Sequence, residues 1–395
     1  MRNILLVTSL YPSDDFTLLN STSVCHYFAK EWKNLGYNVR VIFLYNTYPK
    51  IYYPIIKYFR RLLASIGNRA VLDKQIDSLH SYSIDDIKIT RIPIRKKRPG
   101  GSFIEKELDK VKDEIISLIE KDKFSPDYIV GHFLHPTMEI IASLNEYYHV
   151  VATISLHGKE TKYNSTVADL IKAFNYIGFR SIPIGRYFKN LYGEVPYFYC
   201  FSGIPTEYLR LNEREFNKRI SRFIYVGALI KRKYPTAIIS AVNKVYQHED
   251  FSVTYVGDGQ EKQKIQRYAK MLGIDNKIIL KGHLKRDDVI RELDSAEVFI
   301  MISKRETFGL VYLEAMARGC IVVASKDEGM EGIIKHGYNG YLCNAGNPDA
   351  LAKIIKEIKE LPLDELNKIS HAALLTAREM TDKKMAENYI NVISS

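Results

Sequence analysis

Short runs of apolar and β-branched residues alternate along the chain with segments of helical periodicity. In the first half these runs are NILLVTS, NVRVIFL, IKITRIP, DYIVGHF and HVVATISLHG, and the helical pattern VCHYFAKEWKNLGY follows the first of them. After about residue 220 the rhythm restarts with RFIYVGAL, FSVTYVGDG, KIILKGH, EVFIMIS, CIVVASK and GYLCNAG. Strands separated by helices are typical of βαβ units with mainly parallel sheets. The pattern therefore predicts an α/β protein of two doubly wound domains in series.

The domain boundary is predicted from a charged stretch that lacks apolar periodicity, IPTEYLRLNEREFNKRIS at residues 204–221. Taking this stretch as the linker gives one Rossmann-like domain over residues 1–205 and a second over residues 206–375. Residues 376–395 again show helical periodicity, and the helix they form can pack on either domain, including back on the N-terminal one.

Composition narrows the class of protein. Hydrophobic residues make up 46% of the 395 positions and charged residues 26%, which is typical of a folded globular protein rather than a disordered or fibrous one. The four cysteines form no C-x-x-C pair, so neither a disulfide framework nor a zinc site is expected, and a reducing cytoplasm fits best. The apolar start of the chain predicts a first strand rather than a signal peptide, and no run approaches the roughly 18–20 apolar residues of a membrane-spanning helix.

The net charge of +11 favours an anionic partner, such as a phosphorylated substrate or lipid head groups. Nucleic acid is less favoured, because the sequence contains no zinc finger, RNA-binding strand motif or arginine-rich arm. Residues 48–74 interleave aromatic and aliphatic positions with Lys57, Arg60, Arg61 and Arg69. Such a pattern is typical of an amphipathic helix that contacts an anionic membrane, and it also fits a helix that packs its apolar stripe on the sheet. Under the first interpretation the cytoplasmic protein is peripheral on the inner face of the cell membrane.

Two glycine-containing turns follow predicted strands of the second half. In FIYVGALIKRKYP the strand runs into Gly227 and then into the cations Arg232 and Lys233. A glycine lets the chain turn closely past a ligand, and nearby cations can neutralise a diphosphate, although a solvated basic turn fits the same pattern. In YVGDGQ, Gly257 and Gly259 flank an aspartate, which by itself is weak evidence for a nucleotide.

The segment SKRETFGLVYLEAMARGC carries the most specific pattern, because it places an acid between a predicted strand and the predicted helix TFGLVYLEAMAR. The backbone N–H groups expected to point from the helix start toward an anion belong to Phe308, Gly309 and Leu310. Gly309 removes the side chain that would block the approach, and Glu306 lies beside the same anion site.

Glu314 follows about two helical turns into this helix. Its apolar neighbours Leu313 and Met316 place it near the buried side. There an unpaired carboxylate is unfavourable unless it binds something, and ribose hydroxyls are a natural partner. The alternative is that Thr307 caps the helix while Glu306 and Glu314 are exposed.

Histidines end two predicted strands of the first half. His132 ends the strand in DYIVGHFLHP, and His157, followed by Gly158, ends the strand in VVATISLHGKE. Ligands of open α/β sheets bind at the carboxyl ends of the strands, so both histidines are placed for function. A structural hydrogen bond is the competing explanation for each, and the neighbouring Gly158 weakens it for His157.

Together these motifs resemble glycosyltransferase family 4, the retaining GT-B enzymes that use nucleotide sugars, over nearly the whole chain. ETFGLVYLEAMARGC is similar to the family's E-x7-E signature, and the F-G-L and E-A-M-A-x-G around it make the likeness highly specific. TISLHG resembles T-x-x-H-G, SPDYIVGH the preceding P-D-x-x-x-x-H strand, FSGIP the N-G-I/V-D hinge, VGALIKRK the V-G-R-L-x-x-x-K turn, and YVGDGQ the G-x-G-P turn. The resemblance implies two Rossmann-like domains that face each other across a cleft.

The resemblance also implies a role for each matching position. Glu306 would contact the hydroxyls of the donor sugar near its anomeric carbon, and Glu314 would contact the ribose. The backbone of residues 308–310 would hold the diphosphate with Lys233 as its cation, and His157 would line the reaction centre from the acceptor-binding N-terminal domain. No metal or other cofactor is implied, because cations and a helix dipole stabilise the departing nucleoside diphosphate.

The sequence departs from the family in two places that bear on the site. Ala228 stands where an arginine is usual, and our hypothesis is that Arg232 replaces it. LLNSTSV replaces the glycine-rich turn after the first strand, so its hydroxyl and amide groups are expected to approach the acceptor or the donor. The expected acceptor-side residues are Ser21, Thr22, His132 and Gly158.

The leading prediction is a retaining transferase that moves a hexose or N-acetylhexosamine from a nucleoside-diphosphate sugar, such as a UDP-sugar, to a glycan or lipid-linked acceptor. Bacterial surface polysaccharide or glycoconjugate synthesis is the expected setting. Two alternatives stay open: a GT-B nucleotide-sugar epimerase, which would turn over the donor without an acceptor, and a non-catalytic homologue that binds sugar nucleotides, which the missing arginine at Ala228 would suit. A dehydrogenase is least favoured, because SLYPSDDF stands where a dinucleotide fingerprint would follow the first strand.

Overall fold

The computed structural model describes residues 1–16, 23–55, 75–99, 101–158, 163–247 and 249–395. The chain divides into two compact units, each built on its own sheet. Unit 1 comprises Met1–Arg180, Ile184–Cys200 and Met385–Ser395, and unit 2 comprises Ser181–Pro183 and Phe201–Lys384.

The sheet of unit 1 has eight strands. They are β1 (Asn3–Thr8), β2 (Asn38–Thr47), β3 (His80–Ile84), β4 (Ile87–Arg95), β5 (Tyr128–His132), β6 (Val151–Leu156), β7 (Tyr176–Phe179) and β8 (Tyr197–Tyr199). Their order is β3-β4-β2-β1-β5-β6-β7-β8, and all neighbours pair in parallel except β3 with β4. The chain leaves β1 on one side through β2 and returns on the other side at β5, so the switch point of the sheet lies between β1 and β5.

Helices cover this parallel sheet and explain why its strands are apolar on both faces. The helices between its strands are α1 (Val24–Asn34), α2 (Glu105–Lys121), α3 (Thr137–Tyr148), α4 (Ser165–Leu170) and α5 (Ile182–Tyr192). In α2 the buried residues Val111, Ile115 and Ile119 recur every four positions, which places them on one helical face against the core.

The sheet of unit 2 has six strands, all parallel. They are β9 (Arg222–Val226), β10 (Ser252–Val256), β11 (Ile278–Gly282), β12 (Val298–Met301), β13 (Ile321–Ser325) and β14 (Tyr341–Cys343), in the order β11-β10-β9-β12-β13-β14. The helices of this unit are α6 (Pro235–Tyr246), α7 (Lys262–Met271), α8 (Arg286–Ser295), α9 (Leu310–Ala317), α10 (Pro348–Glu360) and α11 (Leu363–Arg378). The chain runs outward from β9 through β10 and β11 and then returns to β12, which places the switch point between β9 and β12.

The stretch predicted as a linker, residues 204–221, is instead part of unit 2. Phe216 and Ile220 within it are buried, and the guanidinium group of Arg214 donates hydrogen bonds to backbone carbonyl oxygens just before β12. Phe216 and Ile220 are thus packed in the core of unit 2, although the spacing of the apolar residues in this stretch shows no helical or strand periodicity. The division between the units falls after Cys200, five residues before the predicted boundary.

The C-terminal segment divides between the two units. Helix α11 ends in unit 2, and the last helix, α12 (Asp382–Ser394), belongs to unit 1 from Met385 onward. Its Tyr389 is buried, with its ring centroid 5.1 Å from that of Trp32 in α1. The segment predicted at residues 376–395 is therefore shared, and its final turns complete the core of unit 1.

The basic segment at residues 48–74 lies largely beyond what the structure describes, since residues 56–74, with Lys57, Arg60, Arg61 and Arg69, are outside the described ranges. Within those ranges, no helix has both the length and the hydropathy needed to span a bilayer.

Candidate active site

The carboxyl ends of β9 and β12 lie side by side, because the two strands are parallel neighbours at the switch point of unit 2. Ligands of open α/β sheets bind at such a point. Gly227, Arg232 and Lys233 follow β9, and Glu306 follows β12. Four of the residues selected from the sequence are thus brought to one edge of the sheet.

Glu306 shares its carboxylate with two cations. Its Oε2 lies 3.3 Å from Nζ of Lys233 and 3.6 Å from Nη1 of Arg232, and it accepts a 3.2 Å hydrogen bond from the hydroxyl of Ser303. The side chains of Lys233 and Glu306 are only 13% and 15% exposed, so water and salt screen their attraction poorly. We call Arg232, Lys233 and Glu306 the cation–acid cluster.

Backbone contacts hold the cluster in place. Nη1 of Arg232 donates to the carbonyl oxygens of Lys304 and Arg305 at 3.2 and 3.4 Å, and the N–H of Lys304 donates to the carbonyl oxygen of Arg232 at 2.8 Å. The N–H of Glu306 donates to the carboxylate of Glu328 at 2.9 Å. Arg232 therefore fixes the loop that carries Glu306, and Glu328 is a supporting residue that the sequence patterns did not reveal.

The two glycines of this site shape the turns rather than offer N–H groups to a phosphate. A Cβ on Gly227 would lie 3.3 Å from Nζ of Lys233, so glycine leaves room for that ammonium group. Gly257 has a φ of +130°, and a Cβ there would lie 2.1 Å from the carbonyl oxygen of Gly227. Their own N–H groups donate to the carbonyl oxygens of Val256 and Gly282 at 2.9 and 2.7 Å.

Gly257→Ala is expected to lower the free energy of unfolding by about 3 kcal/mol, because the methyl group meets the Gly227 carbonyl and the backbone strain adds to the collision. Urea unfolding with an unchanged slope would measure this loss. Gly273→Ala is the matched control: its φ is +67° with no atom within 4 Å of the added Cβ, so strain alone should cost about 1–2 kcal/mol. Equal losses in the two variants would refute the close approach.

The helix after Glu306 begins later than predicted. Helix α9 starts at Leu310, with Gly309 as its N-cap at a φ of +90° and no side-chain cap, so the alternative in which Thr307 is the N-cap is wrong. A Cβ on Gly309 would lie 2.6 Å from the ring of Tyr312, which gives this glycine a packing reason besides ligand access. A helix leaves its first N–H groups without intrahelical partners, and in α9 these begin with Leu310.

Phe308 precedes this helix and is a core residue. Its side chain is only 3% exposed, and its ring stacks on Phe201 with 5.7 Å between the centroids. Because α9 begins at Leu310, the N–H of Phe308 lies outside the first helical turn, where the sequence pattern placed it. Burial of the ring fixes the loop between Glu306 and α9.

Glu314 is buried and paired. It is 7% exposed, and its carboxylate accepts a hydrogen bond from the guanidinium group of Arg286 at the start of α8. Burial raises the pKa of Glu314 above its ordinary value, and the charge of Arg286 opposes that rise. The alternative of an exposed Glu314 is wrong, and so is the premise that only a ligand could compensate its charge.

Arg286→Ala is expected to lower the free energy of unfolding by about 2 kcal/mol at pH 8, because it leaves a buried carboxylate without its counter-charge. Removing Arg286 raises the already elevated pKa of Glu314 further. The carboxylate is charged above that pKa and takes up a proton below it, so the loss should be smaller at pH 5. Urea titrations at both pH values would measure the difference, and the same change in a Glu314→Gln background should show no pH dependence. An equal loss at both pH values would contradict the pairing.

The two histidines selected in the first half contact each other. Strands β5 and β6 pair with His132 opposite Ser155, and Nδ1 of His132 lies 2.9 Å from Nε2 of His157. His132 is fully buried, whereas His157 is partly exposed and stacks on Phe133 with 3.9 Å between the ring centroids. Burial and the positive charge of Arg180 lower the pKa of His132 to about 3, and burial, Arg180 and His132 lower that of His157 well below its usual value. The structural hydrogen bond that competed with a functional role thus exists, and it joins the two candidates.

The remaining acceptor-side predictions have different outcomes. Gly158 directly follows His157 and is exposed, with no atom within 4 Å of a Cβ placed there. Ser21 and Thr22 lie outside the described residues. Arg180, which is 2% exposed and donates to the carbonyl oxygen of Cys200 at 2.8 Å, was not selected, because no local pattern marks it as a neighbour of the histidines.

One group of side chains in the described ranges has the spacing of a metal site. Ligand atoms of Asp14, Asp15 and His80 lie within 4.8 Å of one another. Both oxygens of Asp15 accept hydrogen bonds from Arg91, at 2.6 and 3.0 Å, and Asp14 is 3.0 Å from Nε2 of His80. These contacts compensate the negative charges of the two aspartates without a metal ion. The expectation that no metal takes part in the reaction stays a prediction.

Comparison with known proteins relates this chain to a family of enzymes. Residues 211–375 match the family model described as Glycosyl transferases group 1. An uncharacterized glycosyltransferase of Methanocaldococcus jannaschii is 26% identical over 330 residues, which cover 78% of this chain and 87% of that protein. A lipopolysaccharide core biosynthesis glycosyltransferase of Rhizobium meliloti is 29% identical over 133 residues, which cover 34% of this chain and 38% of that protein. The likeness therefore extends over most of the first relative and over well under half of the second.

A solved structure shares the whole fold. The HepE protein of Anabaena, crystallised in complex with UDP and glucose, aligns over 100% of both chains with a TM-score of 0.66 at 15% sequence identity. At this identity the likeness shows the fold alone. Together with the two doubly wound sheets, it confirms the predicted GT-B fold class.

Proposed function

Because this chain belongs to the group 1 glycosyl transferases, we propose that it transfers a hexose or N-acetylhexosamine from a nucleoside-diphosphate sugar to an acceptor with retention of configuration. The cation–acid cluster carries the proposal. It combines two cations suited to a diphosphate with an acid suited to sugar hydroxyls, at the switch point of the unit that matches the family model.

The donor proposed first is a UDP-hexose, and the UDP and glucose bound by the Anabaena protein of the same fold support that choice. Lys233 and Arg232 would bind the diphosphate, together with the N–H groups at the start of α9 from Leu310 onward. Glu314, held by Arg286, would accept hydrogen bonds from the ribose.

The mechanism follows from where negative charge develops. As the bond between the sugar and the β-phosphate breaks, the departing nucleoside diphosphate gains charge, which Lys233, Arg232 and the helix start stabilise without a metal. The acceptor hydroxyl attacks from the side of the leaving phosphate, whose oxygen takes the proton, so the configuration is retained. Glu306, restrained by Ser303 and two cations, positions the sugar rather than acting as a nucleophile.

We also propose that Arg232 supplies the charge missing at Ala228. Ala228 is exposed after β9, and its carbonyl oxygen accepts a 2.7 Å hydrogen bond from the hydroxyl of Tyr225. Arg232 reaches Glu306 with its Nη1 and is itself held by the loop carbonyls, so its charge is directed at the cluster.

The acceptor proposed is a glycan or a lipid-linked glycan bound by unit 1, with His157 and Gly158 at the strand end that would receive it and the fully buried His132 behind His157. The name of the Rhizobium relative, a lipopolysaccharide core glycosyltransferase, supports synthesis of a surface polysaccharide or glycoconjugate.

A panel of nucleotide sugars tests the proposal. The cognate donor should raise the midpoint of thermal unfolding, and it should then be turned over with a glycan or lipid-linked acceptor and retained anomeric configuration, also in the presence of EDTA. Turnover without any acceptor would identify an epimerase instead. Binding without turnover would indicate a non-catalytic homologue, and stabilisation by NAD alone would overturn the proposal.

Contact with an anionic membrane through residues 48–74 is a further part of this proposal, supported by their sequence alone. Replacing Lys57, Arg60 and Arg61 by glutamine is expected to weaken binding to vesicles that contain phosphatidylglycerol by about 100-fold, since each basic residue near the surface contributes about 1 kcal/mol. Vesicle sedimentation measures this, and neutral phosphatidylcholine vesicles are the control. Unchanged binding of the triple variant would refute the contact.

A further inference from the structure

The hydrogen bond between His132 and His157 contains one proton. Which of the two nitrogens carries that proton determines whether the other nitrogen of His157 is a donor or an acceptor. The donor and acceptor are Nδ1 of His132 and Nε2 of His157, 2.9 Å apart. If His132 donates, the proton of His157 is on its other nitrogen, Nδ1. If His157 donates instead, its Nδ1 is an acceptor.

The surroundings of His132 favour the first arrangement. Its second nitrogen, Nε2, is buried and has no hydrogen-bond partner among the residues that the structure describes. Rings surround it: the centroids of Phe28 and Tyr389 are 5.6 and 6.2 Å from that of His132. If His157 donated, His132 would carry its proton on this nitrogen as a buried N–H without an acceptor, a state that folded proteins rarely contain. Donation by His132 leaves only a lone pair there.

A charged state of the pair is disfavoured as well. Arg180 is the permanent charge that faces the histidines, and it repels a further proton. The other titratable groups beside them are neutral: burial raises the pKa of the Cys25 and Cys200 thiols and of the Tyr389 hydroxyl. Both histidines are therefore expected to be neutral.

The last helix of the chain contacts both His132 and the strand before His157. The hydroxyl of Tyr389 in α12 is 2.8 Å from Oγ1 of Thr153 and 3.3 Å from Oγ of Ser155, both on the strand that ends before His157. Its ring packs against that of His132. Contacts within unit 1 thus hold the strand that leads to His157.

From these contacts we infer that His132 is a positioning residue that locks His157 as a neutral hydrogen-bond donor through Nδ1–H. His157 then donates to an oxygen atom of a substrate bound by unit 1 and does not act as a general base. This inference rests on the proposed function for the identity of that oxygen, but the proton location is a property of the unliganded protein.

Nitrogen-15 NMR of the histidine-labelled protein tests the lock directly, with signals assigned by loss in His157→Asn. The expected result is protonated Nδ1 and unprotonated Nε2 in His157, unchanged from pH 5 to 9. A proton on Nε2, or titration within that range, would overturn the inference. No variant of His132 has to fold for this measurement.

His132→Phe and His132→Asn provide the matched comparison. Phenylalanine fills the space without a donor, whereas the asparagine amide can donate in place of Nδ1. His132→Phe should lower kcat about 10-fold or more with little change in KM for the donor and make kcat depend on pH, and His132→Asn should restore a flat pH profile. A flat profile in both variants would overturn the role of His132. Normal transfer by His157→Ala, with the expected NMR signals in wild type, would instead refute the proposed function of His157 alone.

Discussion

Replacing Glu306 by glutamine is expected to lower the rate of sugar transfer by about 100- to 1000-fold, while nucleoside diphosphate binds as tightly as to the wild type or more tightly. The two expectations have one cause. In the structure the carboxylate lies 3.3 Å from Nζ of Lys233 and 3.6 Å from Nη1 of Arg232, so it balances the cations that would bind the diphosphate. Its loss removes the group that positions the sugar and leaves both cations available to phosphate oxygens. Steady-state kinetics and calorimetric titration with UDP measure the two effects.

Glu360→Gln is the control for this substitution. Glu360 is also an acid of unit 2 paired with a lysine, Lys356, at 3.7 Å, but it is exposed and lies at the end of α10. It should change neither transfer nor UDP binding. If Glu306→Gln weakened UDP binding as strongly as transfer, the carboxylate would support the loop before α9 rather than the sugar.

Lys233→Ala is expected to weaken UDP binding by about 10- to 100-fold and to reduce transfer at least as much. A charge-assisted hydrogen bond contributes about 1.5–3 kcal/mol, and each 1.4 kcal/mol corresponds to a factor of about ten. The effect should be large because the lysine is only 13% exposed and its ammonium group occupies the space left by Gly227. Calorimetric titration and donor kinetics would measure both losses.

Lys231→Ala gives the matched control, since Lys231 belongs to the same basic turn but is exposed. Its removal lowers the charge of the turn equally and should change UDP binding less than twofold at physiological ionic strength, where exposed charges are screened. Equal losses for Lys231 and Lys233 would mean that the turn acts only through its net charge, which is the solvated basic turn left open by the sequence.

The sequence predicted the sheets well because their strands are parallel and buried. Every apolar run selected from the pattern is a strand. In all of them except the edge strand β11 most residues are buried, and a strand covered on both faces must be apolar along its length. The strands that the pattern missed are of other kinds. Strand β3 is an antiparallel edge with the polar sequence HSYSI, and β7 and β8 are short strands with the sequences YIGF and YFY.

The site was predictable in part for the same reason. Parallel strands place their carboxyl ends at one edge, so Lys233 and Glu306 could be assigned to one site from their positions after strands. The residues that contact the site residues could not be predicted from the sequence. Arg286 reaches Glu314 from another helix, and Gly257 is required by the carbonyl of Gly227 in a neighbouring turn. Such contacts depend on how elements pack, and no local spacing encodes them.

Because the last residues of the chain belong to unit 1, this unit cannot finish folding until the whole chain has been synthesised. Residues 1–200 leave the ribosome long before Met385–Ser395, and at about 5–20 residues per second the interval is roughly 10–40 s. During that time Trp32 and Phe28, which pack against Tyr389 in the finished protein, have no cover from α12. The part of the chain that is synthesised first is therefore the last to close. A nascent chain stalled before Met385 should expose this aromatic surface to chaperones, although the C-terminal sheet is already complete.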